Sequence, residues 1–253
     1  MNSYSFISDL YSKVGEVEIL KNQASSTDYA RAQYTLDAFV RVLSCQGNDH
    51  SKRILEIGPG SGFITQYLID FIKKEKIKAT LDLCDISNSF LARCGGSIEG
   101  INKFIEADIC AREDCDLLAK EAYDIILFEE ALEHTVAPYS AIYNISSSLA
   151  EGGNLILTVP NTLYARRLFR ELNPFCKLTD RILDTHIAEM TPLSIVKLLS
   201  MSGFDVVDIS YYRSKIGFAS RLISPEVGFI CKKSRNPKDV WNELTSRILT
   251  KWK

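Results

Sequence analysis

Arg53-Ile54-Leu55-Glu56-Ile57-Gly58-Pro59-Gly60-Ser61-Gly62-Phe63-Ile64-Thr65 is the most informative stretch of this 253-residue chain. Ile54, Leu55 and Ile57 form a short apolar run of the kind that a parallel sheet buries on both faces. Three glycines at alternate positions follow. They let the backbone turn tightly and approach a ligand with no Cβ in the way. From Phe63 to Lys73 the apolar residues recur at helical spacing. The free N–H groups at that helix start would point at whatever fills the turn.

The glycine spacing narrows the ligand. A dinucleotide fingerprint requires G-x-G-x-x-G/A. Counted from Gly58, its third small position falls on Phe63, so that pattern fails. What stands here is Glu56-x-Gly58-x-Gly60-x-Gly62. Downstream come Leu81-Asp82-Leu83-Cys84-Asp85-Ile86-Ser87, Glu106-Ala107-Asp108-Ile109, Tyr123-Asp124-Ile125-Ile126-Leu127-Phe128-Glu129-Glu130-Ala131-Leu132-Glu133-His134, and Gly152-Gly153-Asn154-Leu155-Ile156-Leu157-Thr158-Val159-Pro160-Asn161. In this order, across residues 50–232, the five segments resemble motif I and the next four strand motifs of the class I S-adenosylmethionine-dependent methyltransferases. The resemblance implies an α/β fold. It has a doubly wound, Rossmann-like, seven-stranded sheet with the last strand antiparallel, and S-adenosyl-L-methionine is the cofactor.

Periodicity supports the same architecture. From Ile54 onward strand and helix patterns alternate, with strands near 53–57, 80–85, 103–106, 123–128 and 154–159, as in a parallel doubly wound sheet. Two later strands are expected at Phe204–Tyr212 and Val227–Cys231. Before the sheet, Asp28–Leu43 carries apolar residues close to a 3.6 period, with Ser26 or Thr27 as its cap. Residues 1–48 are read as an N-terminal helical lid, 49–233 as the core, and 234–253 as a charged tail with a short helix. The helix after Pro138 is expected to stop at Gly152-Gly153. An insert at about 160–190 breaks the alternation; its basic helix Leu163–Arg170 is stopped by Asn173-Pro174. Thr191-Pro192 then caps the helix Leu193–Ser202, which Gly203 closes.

Composition sets outer bounds. A net charge of −2 supplies no electrostatic reason to expect a nucleic-acid partner. No apolar run approaches the ~20 residues of a membrane span, and the N-terminus lacks the pattern of a signal peptide. Seven cysteines without a C-x-x-C pair suggest a reduced, cytoplasmic protein with no disulfide framework or zinc site.

Within the resemblance, candidate residues can be assigned. Gly58, Gly60 and Gly62 present backbone to the methionine part of the cofactor, and Glu56 orients that loop or meets the ammonium. A carboxylate at the end of the second strand can accept both ribose hydroxyls. Asp85 is preferred over Asp82, which lies inside the strand. Ile86 packs on the adenine face, while Asp108 and Ile109 meet the adenine edge. Glu130 stands where the methyl projects, at the carboxyl end of the fourth strand, and acids there suit a sulfonium cation.

The loop lacks the [D/N/S]-P-P-[Y/F] element of exocyclic-amine methyltransferases. Leu132-Glu133-His134 instead resembles the small-molecule O-methyltransferases of quinone, sugar and natural-product chemistry. His134 and His186, the latter in Asp184-Thr185-His186-Ile187-Ala188-Glu189-Met190-Thr191, are alternative general bases, because imidazole titrates near working pH. His50 is read as a surface residue. Arg166, Arg167 and Arg170 either grip an anionic group or form a solvated face. Tyr4, Tyr11, Tyr29 and Tyr34 either line a lid or pack helices. No metal-ligand set is legible; Asn161, ending strand five, lacks the companion acids of a magnesium-dependent catechol-type enzyme. The expected activity is methyl transfer to a hydroxyl, or an amine, of a small molecule. A non-catalytic S-adenosylmethionine-binding subunit and a nicotinamide oxidoreductase are the alternatives.

Overall fold

The computed structural model describes residues 26–46, 51–119, 122–172, 186–212 and 220–251. Tyr4, Tyr11, His50, Asn173-Pro174, Asp184 and Thr185 lie outside the described residues, as does most of the expected lid. Seven strands form one sheet: β1 (Lys52–Ile57), β2 (Ala79–Asp85), β3 (Ile101–Glu106), β4 (Tyr123–Glu129), β5 (Leu149–Pro160), β6 (Phe204–Ser210) and β7 (Glu226–Lys233). Their order is β3-β2-β1-β4-β5-β7-β6. β1 to β5 are mutually parallel, and β7 runs antiparallel between β5 and β6. This is the expected doubly wound topology. The order reverses between β1 and β4, and open α/β sheets bind ligands at the carboxyl ends of strands at such a point.

Alternation along each strand builds two cores. Ile54, Ile125, Leu127, Ile156 and Ile230 face α1 (Ser26–Gln46), α2 (Phe63–Lys74) and α3 (Asn88–Ser97). Leu55, Ile126, Phe128, Leu157 and Phe229 face α4 (Arg112–Ala119), α5 (Pro138–Ser148) and α7 (Pro192–Met201). Ile54, Leu55 and Leu127 are wholly buried, each contributing about 1.5–3 kcal/mol from burial. Among the described residues, no helix is long and apolar enough to cross a membrane.

One expectation needs correction. The Gly152-Gly153 pair does not end the helix after Pro138. That helix stops at Ser148, and both glycines lie inside β5. Tyr123 pairs with Leu149 but Ile125 pairs with Asn154, so the extra β5 residues bulge. Gly152 takes the left-handed turn (φ +74°), and a Cβ on Gly153 would meet the Ala150 carbonyl oxygen at 2.9 Å. The glycines thus serve a bulge, which sequence cannot distinguish from a helix stop. The described part of the N-terminal helical segment, α1, packs on the sheet: Ala38, Phe39 and Val42 belong to its core, and Ala32 is buried. The helix expected in the charged tail is α9 (Pro237–Lys251), which lies on α5 and α7. Val240 is buried, and the Trp241 ring meets Tyr139 edge-on at 5.2 Å.

The Thr191-Pro192 start stands where expected, with the Thr191 side chain accepting from the Ser194 amide at 3.2 Å. The insert contributes α6 (Ala165–Leu172) and the segment 186–190 that leads into α7. A short helix, α8 (Ser220–Ile223), precedes β7.

Candidate active site

The carboxyl ends of β1, β2 and β4 open into one cavity of about 520 Å³. The Gly58 amide donates to the Cys84 carbonyl at 2.8 Å, pinning the glycine loop to β2. All three glycines have left-handed φ: +72° at Gly58, +53° at Gly60 and +76° at Gly62. Their surroundings differ. A Cβ on Gly60 would meet nothing within 4 Å, because it faces the cavity. A Cβ on Gly58 would stand 3.1 Å from Ala131. At Gly62 it would come within 2.7 Å of Ile98 and 3.0 Å of Cys94, and Gly62 is not on the cavity wall. Gly62 caps α2 and sits against α3, and of the three glycines Gly58 and Gly60 line the cavity.

Glu56 and Asp85 line the same cavity. Burial pushes the Glu56 carboxyl up to about 7, and its Oε2 has no hydrogen-bond partner. At the end of β2, Asp85 accepts the Ser87 amide at 2.8 Å. Burial raises it to about 6 against the opposing pull of the Ser87 and Ile86 amides. Asp82 is committed elsewhere, accepting from Asn102 at 2.7 Å and the Tyr123 hydroxyl at 2.9 Å. It ties strands together; Asp85 is the carboxylate that reaches the ligand space. Ile86, Phe90 and Ile109 supply apolar wall, and Asp108 stands among them, its Oδ1 accepting the Cys110 amide at 2.8 Å.

Sequence reasoning passed over two groups on the β4 side. The first is Arg31 of α1. Its guanidinium lies 3.8 Å from Asp28, 3.7 Å from Glu130 and 3.4 Å from Glu226. Nothing in its helix marks it, since two of its partners arrive from β7 and the turn after β4. Glu130 holds a left-handed φ of +48°, uncommon for a residue with a side chain. Glu129 accepts from the Thr35 hydroxyl of α1, and burial pushes its carboxyl up to about 8.

The second group is Glu133, only 2% exposed, with no hydrogen-bond partner for either carboxylate oxygen. Burial, and then the neighbouring Glu130, push its carboxyl upward. His134 and His186, alternatives on sequence grounds, stand together: their rings meet edge-on with centroids 4.8 Å apart. Each Nε2 lies 4.0 Å from Glu133 Oε1. The Ala188 amide donates to the Glu133 carbonyl at 2.9 Å, which brings the 186–190 segment onto the short 3₁₀ turn Leu132–His134.

Arg167 is ion-paired with Glu189, so its charge is not held out for an anion, and Arg166 is exposed. The side chain of Arg170 lies outside the described residues. Tyr29, 52% exposed, meets Phe63 edge-on at 5.1 Å beside the cavity. Tyr34 stacks on Tyr212 at 4.6 Å and belongs to the packing. Asn161 donates to the Arg221 and Ser224 carbonyls, a purely structural role.

The cavity suits a cationic nucleoside. Seven carboxylates line it against one guanidinium. Gly60 leaves the backbone bare toward it, and buried Glu56 keeps an oxygen without a protein partner. S-adenosylmethionine carries an ammonium, a sulfonium, a ribose diol and a flat base. Carboxylates for the positive charges and the diol, and an apolar wall at Ile86, Phe90 and Ile109 for the base, line this one cavity.

Comparison with known proteins gives the same direction. The family model described as "Methyltransferase domain" matches residues 29–209. A lovastatin diketide synthase of Monascus pilosus (mokB) is 27% identical over 186 residues, spanning 72% of this chain but 7% of that protein. Another, from Aspergillus terreus (lovF), is 28% identical over 132 residues, spanning 51% of this chain and 5% of the synthase. The match thus spans a small part of these relatives' length. The CurJ carbon methyltransferase aligns with TM-score 0.57 at 19% identity, over 78% of this chain and 52% of that one. A SAM-dependent methyltransferase from Archaeoglobus fulgidus aligns with TM-score 0.55 at 17% identity, over 80% and 94%. The N-methyltransferase NodS from Bradyrhizobium japonicum WM9, in complex with S-adenosyl-L-homocysteine, aligns with TM-score 0.52 at 18% identity, over 81% and 87%. At such identities these structures show the shared fold.

Proposed function

The chain belongs to the methyltransferase-domain family, with the fold of the class I S-adenosylmethionine-dependent enzymes, and from that premise we propose that it methylates a hydroxyl of a small molecule. S-adenosylmethionine supplies an electrophilic methyl group on a sulfonium. The chain's own residues then have three tasks. The Gly58–Gly60 backbone, Asp85 and Asp108 fix the nucleoside and methionine portions. The acids of β1 and β4 match its positive charge. The Glu133–His134–His186 cluster, on the wall of the same cavity, promotes loss of the proton that a hydroxyl must give up. Alignment of acceptor and donor supplies much of the rate.

The cluster is the observation that carries this reading, because an acceptor that keeps its proton has no use for it. Proton removal by a positioned group contributes about 10²–10⁴-fold. His134→Ala and His186→Ala should each lower turnover by that order, while calorimetry shows nearly unchanged affinity for S-adenosylmethionine. The assay is a labelled-methyl panel of phenolic, sugar, amine and β-ketoacyl acceptors. Transfer only to amines, or parental turnover in both variants, would overturn the hydroxyl reading. Cofactor binding with no transfer to any acceptor would leave a non-catalytic subunit.

A second reading has its own support. The synthase relatives and the CurJ neighbour suggest a carbon acceptor flanked by carbonyls, whose acidic C–H bond could use the same cluster. Labelling of the β-ketoacyl members alone would favour it. The free thiols of buried Cys84, Cys94 and Cys231 suit a reducing compartment such as the cytoplasm.

A further inference from the structure

We propose that Glu133, His134 and His186 form a divalent-cation site on the cavity wall, one that takes a borderline metal such as Zn²⁺ or Co²⁺. One ligand atom from each residue can be chosen so that all lie within 4.8 Å of one another. The set is two imidazoles and one carboxylate, donors that favour such metals over Mg²⁺ or Ca²⁺.

The second shell points the same way. His186 Nδ1 lies 3.3 Å from Glu189 Oε1, and Glu189 is ion-paired with Arg167. A carboxylate can only accept, so in the tautomer that pairs with Glu189 the proton sits on Nδ1. Nε2 is the nitrogen that faces Glu133, 4.0 Å from its Oε1. Oε1 has no hydrogen-bond partner and belongs to a side chain 3% exposed. An imidazole held by a carboxylate on its far nitrogen is the recurrent support of a metal ligand. A buried carboxylate oxygen without a hydrogen-bond partner calls for a positive charge beside it, and a proton or a metal ion would supply it.

The geometry prefers the metal. Zn–N bonds of about 2.0–2.1 Å in a tetrahedral site set ligand atoms about 3.3 Å apart. The three ligand atoms stand 4.0 Å and up to 4.8 Å apart, so binding would draw the two imidazoles inward by side-chain rotation. Both rings are only partly buried, at 25% and 27% side-chain exposure, which leaves room for rotation and for further ligands from the cavity. Backbone ties hold the parts together: the Ala188 amide to the Glu133 carbonyl, and the His134 amide to the Ala131 carbonyl at 3.1 Å.

The catalytic consequence rests on the proposed hydroxyl acceptor. A hydroxyl bound to the cation would release its proton to water at the open side of the cavity more readily than a free one. The cation site itself does not depend on that acceptor.

The test uses the full chain, tag-free and stripped with chelator, titrated with Co²⁺ under visible absorption and followed by Zn²⁺ competition. One equivalent of Co²⁺ should produce d–d bands that Zn²⁺ abolishes. Glu133→Gln, which keeps the side chain's shape, and His134→Ala should each weaken binding by more than the roughly 10–100-fold expected from loss of a supporting residue. His50→Ala, replacing the one other histidine, should leave it unchanged. Zn²⁺ should also raise the melting temperature of the parent and not of Glu133→Gln. If folded, S-adenosylmethionine-binding protein yields no Co²⁺ bands at millimolar Co²⁺, or if Glu133→Gln binds as the parent does, the cation site is refuted. Loss of turnover in both histidine variants without Co²⁺ bands would leave the imidazoles as proton acceptors. Co²⁺ bands without hydroxyl methylation would leave the site standing and remove the acceptor.

Discussion

Asp85 brings a carboxylate to the end of β2 with its Oδ1 accepting the Ser87 amide. A ribose diol offers two donors, and hydrogen bonds to a charged acceptor contribute about 1.5–3 kcal/mol. Asp85→Asn keeps the amide contact and the shape but loses the charge and one acceptor. It should weaken S-adenosylmethionine binding about 10–100-fold by calorimetry, in protein that still melts cooperatively. Equal affinity in the folded variant would remove Asp85 from the site. Asp82, three residues upstream in the same strand, ties the sheet to Asn102 and Tyr123; its replacement belongs to stability. Position relative to the strand end separates these acids.

At the scale of the element, the glycine turn divides its labour. All three glycines sit at positive φ, where a Cβ costs about 1–2 kcal/mol. Gly62 adds a packing conflict with Ile98 and Cys94, while Gly60 faces open cavity. Gly62→Ala should therefore lower the melting temperature more than Gly60→Ala does. Gly60→Ala should cost more in cofactor affinity relative to its loss of stability. Thermal unfolding and calorimetry on both variants check the pair, and a reversed ranking would place the ligand on the wrong side of the turn. The same element carries the buried start of α2, which explains why the spacing is regular although the roles are not.

For the molecule as a whole, the concentration of buried acid has a pH signature. Burial raises the folded-state carboxyls of Asp85 to about 6, Glu56 to about 7 and Glu129 to about 8. A folded pKa above the unfolded value means that the native state holds more protons between the two values. Their contribution is fully present below the unfolded range near 4 and is lost as pH rises through about 6–8. The ligand-free protein should melt at progressively lower temperature from pH 5 to pH 8, and the total effect should be of order a few kcal/mol. Glu129→Gln keeps an acceptor for Thr35 and should flatten that slope. A slope identical to the parent's would mean that Glu129 is ionised throughout. A cationic ligand bound among these acids should restore stability most at the upper end of the range.

What the sequence determined is what depends on near neighbours. Alternating apolar runs mark each buried strand, the Gly58–Gly62 spacing marks the turn, and Thr191-Pro192 marks a helix start, because pleat, φ and capping are set within a few residues. The five segments in order identified the family, and β7 lies antiparallel between β5 and β6 as that identification implied. Asp85, Ile86, Asp108, Ile109 and Glu130 were legible as residues of one cavity because each lies at or just past a strand end, and strand ends of a doubly wound sheet meet at the switch point. Tertiary structure alone decided the rest. It placed His186 against His134 across 52 positions of sequence, left Glu133 buried between them, and drew Arg31 into carboxylates from β4 and β7. It used Gly152-Gly153 for a bulge and folded the C-terminal residues into a packed helix. Each of these depends on groups distant in the chain that meet only when the sheet closes, and whether a charge is buried or solvated is a property of that closure.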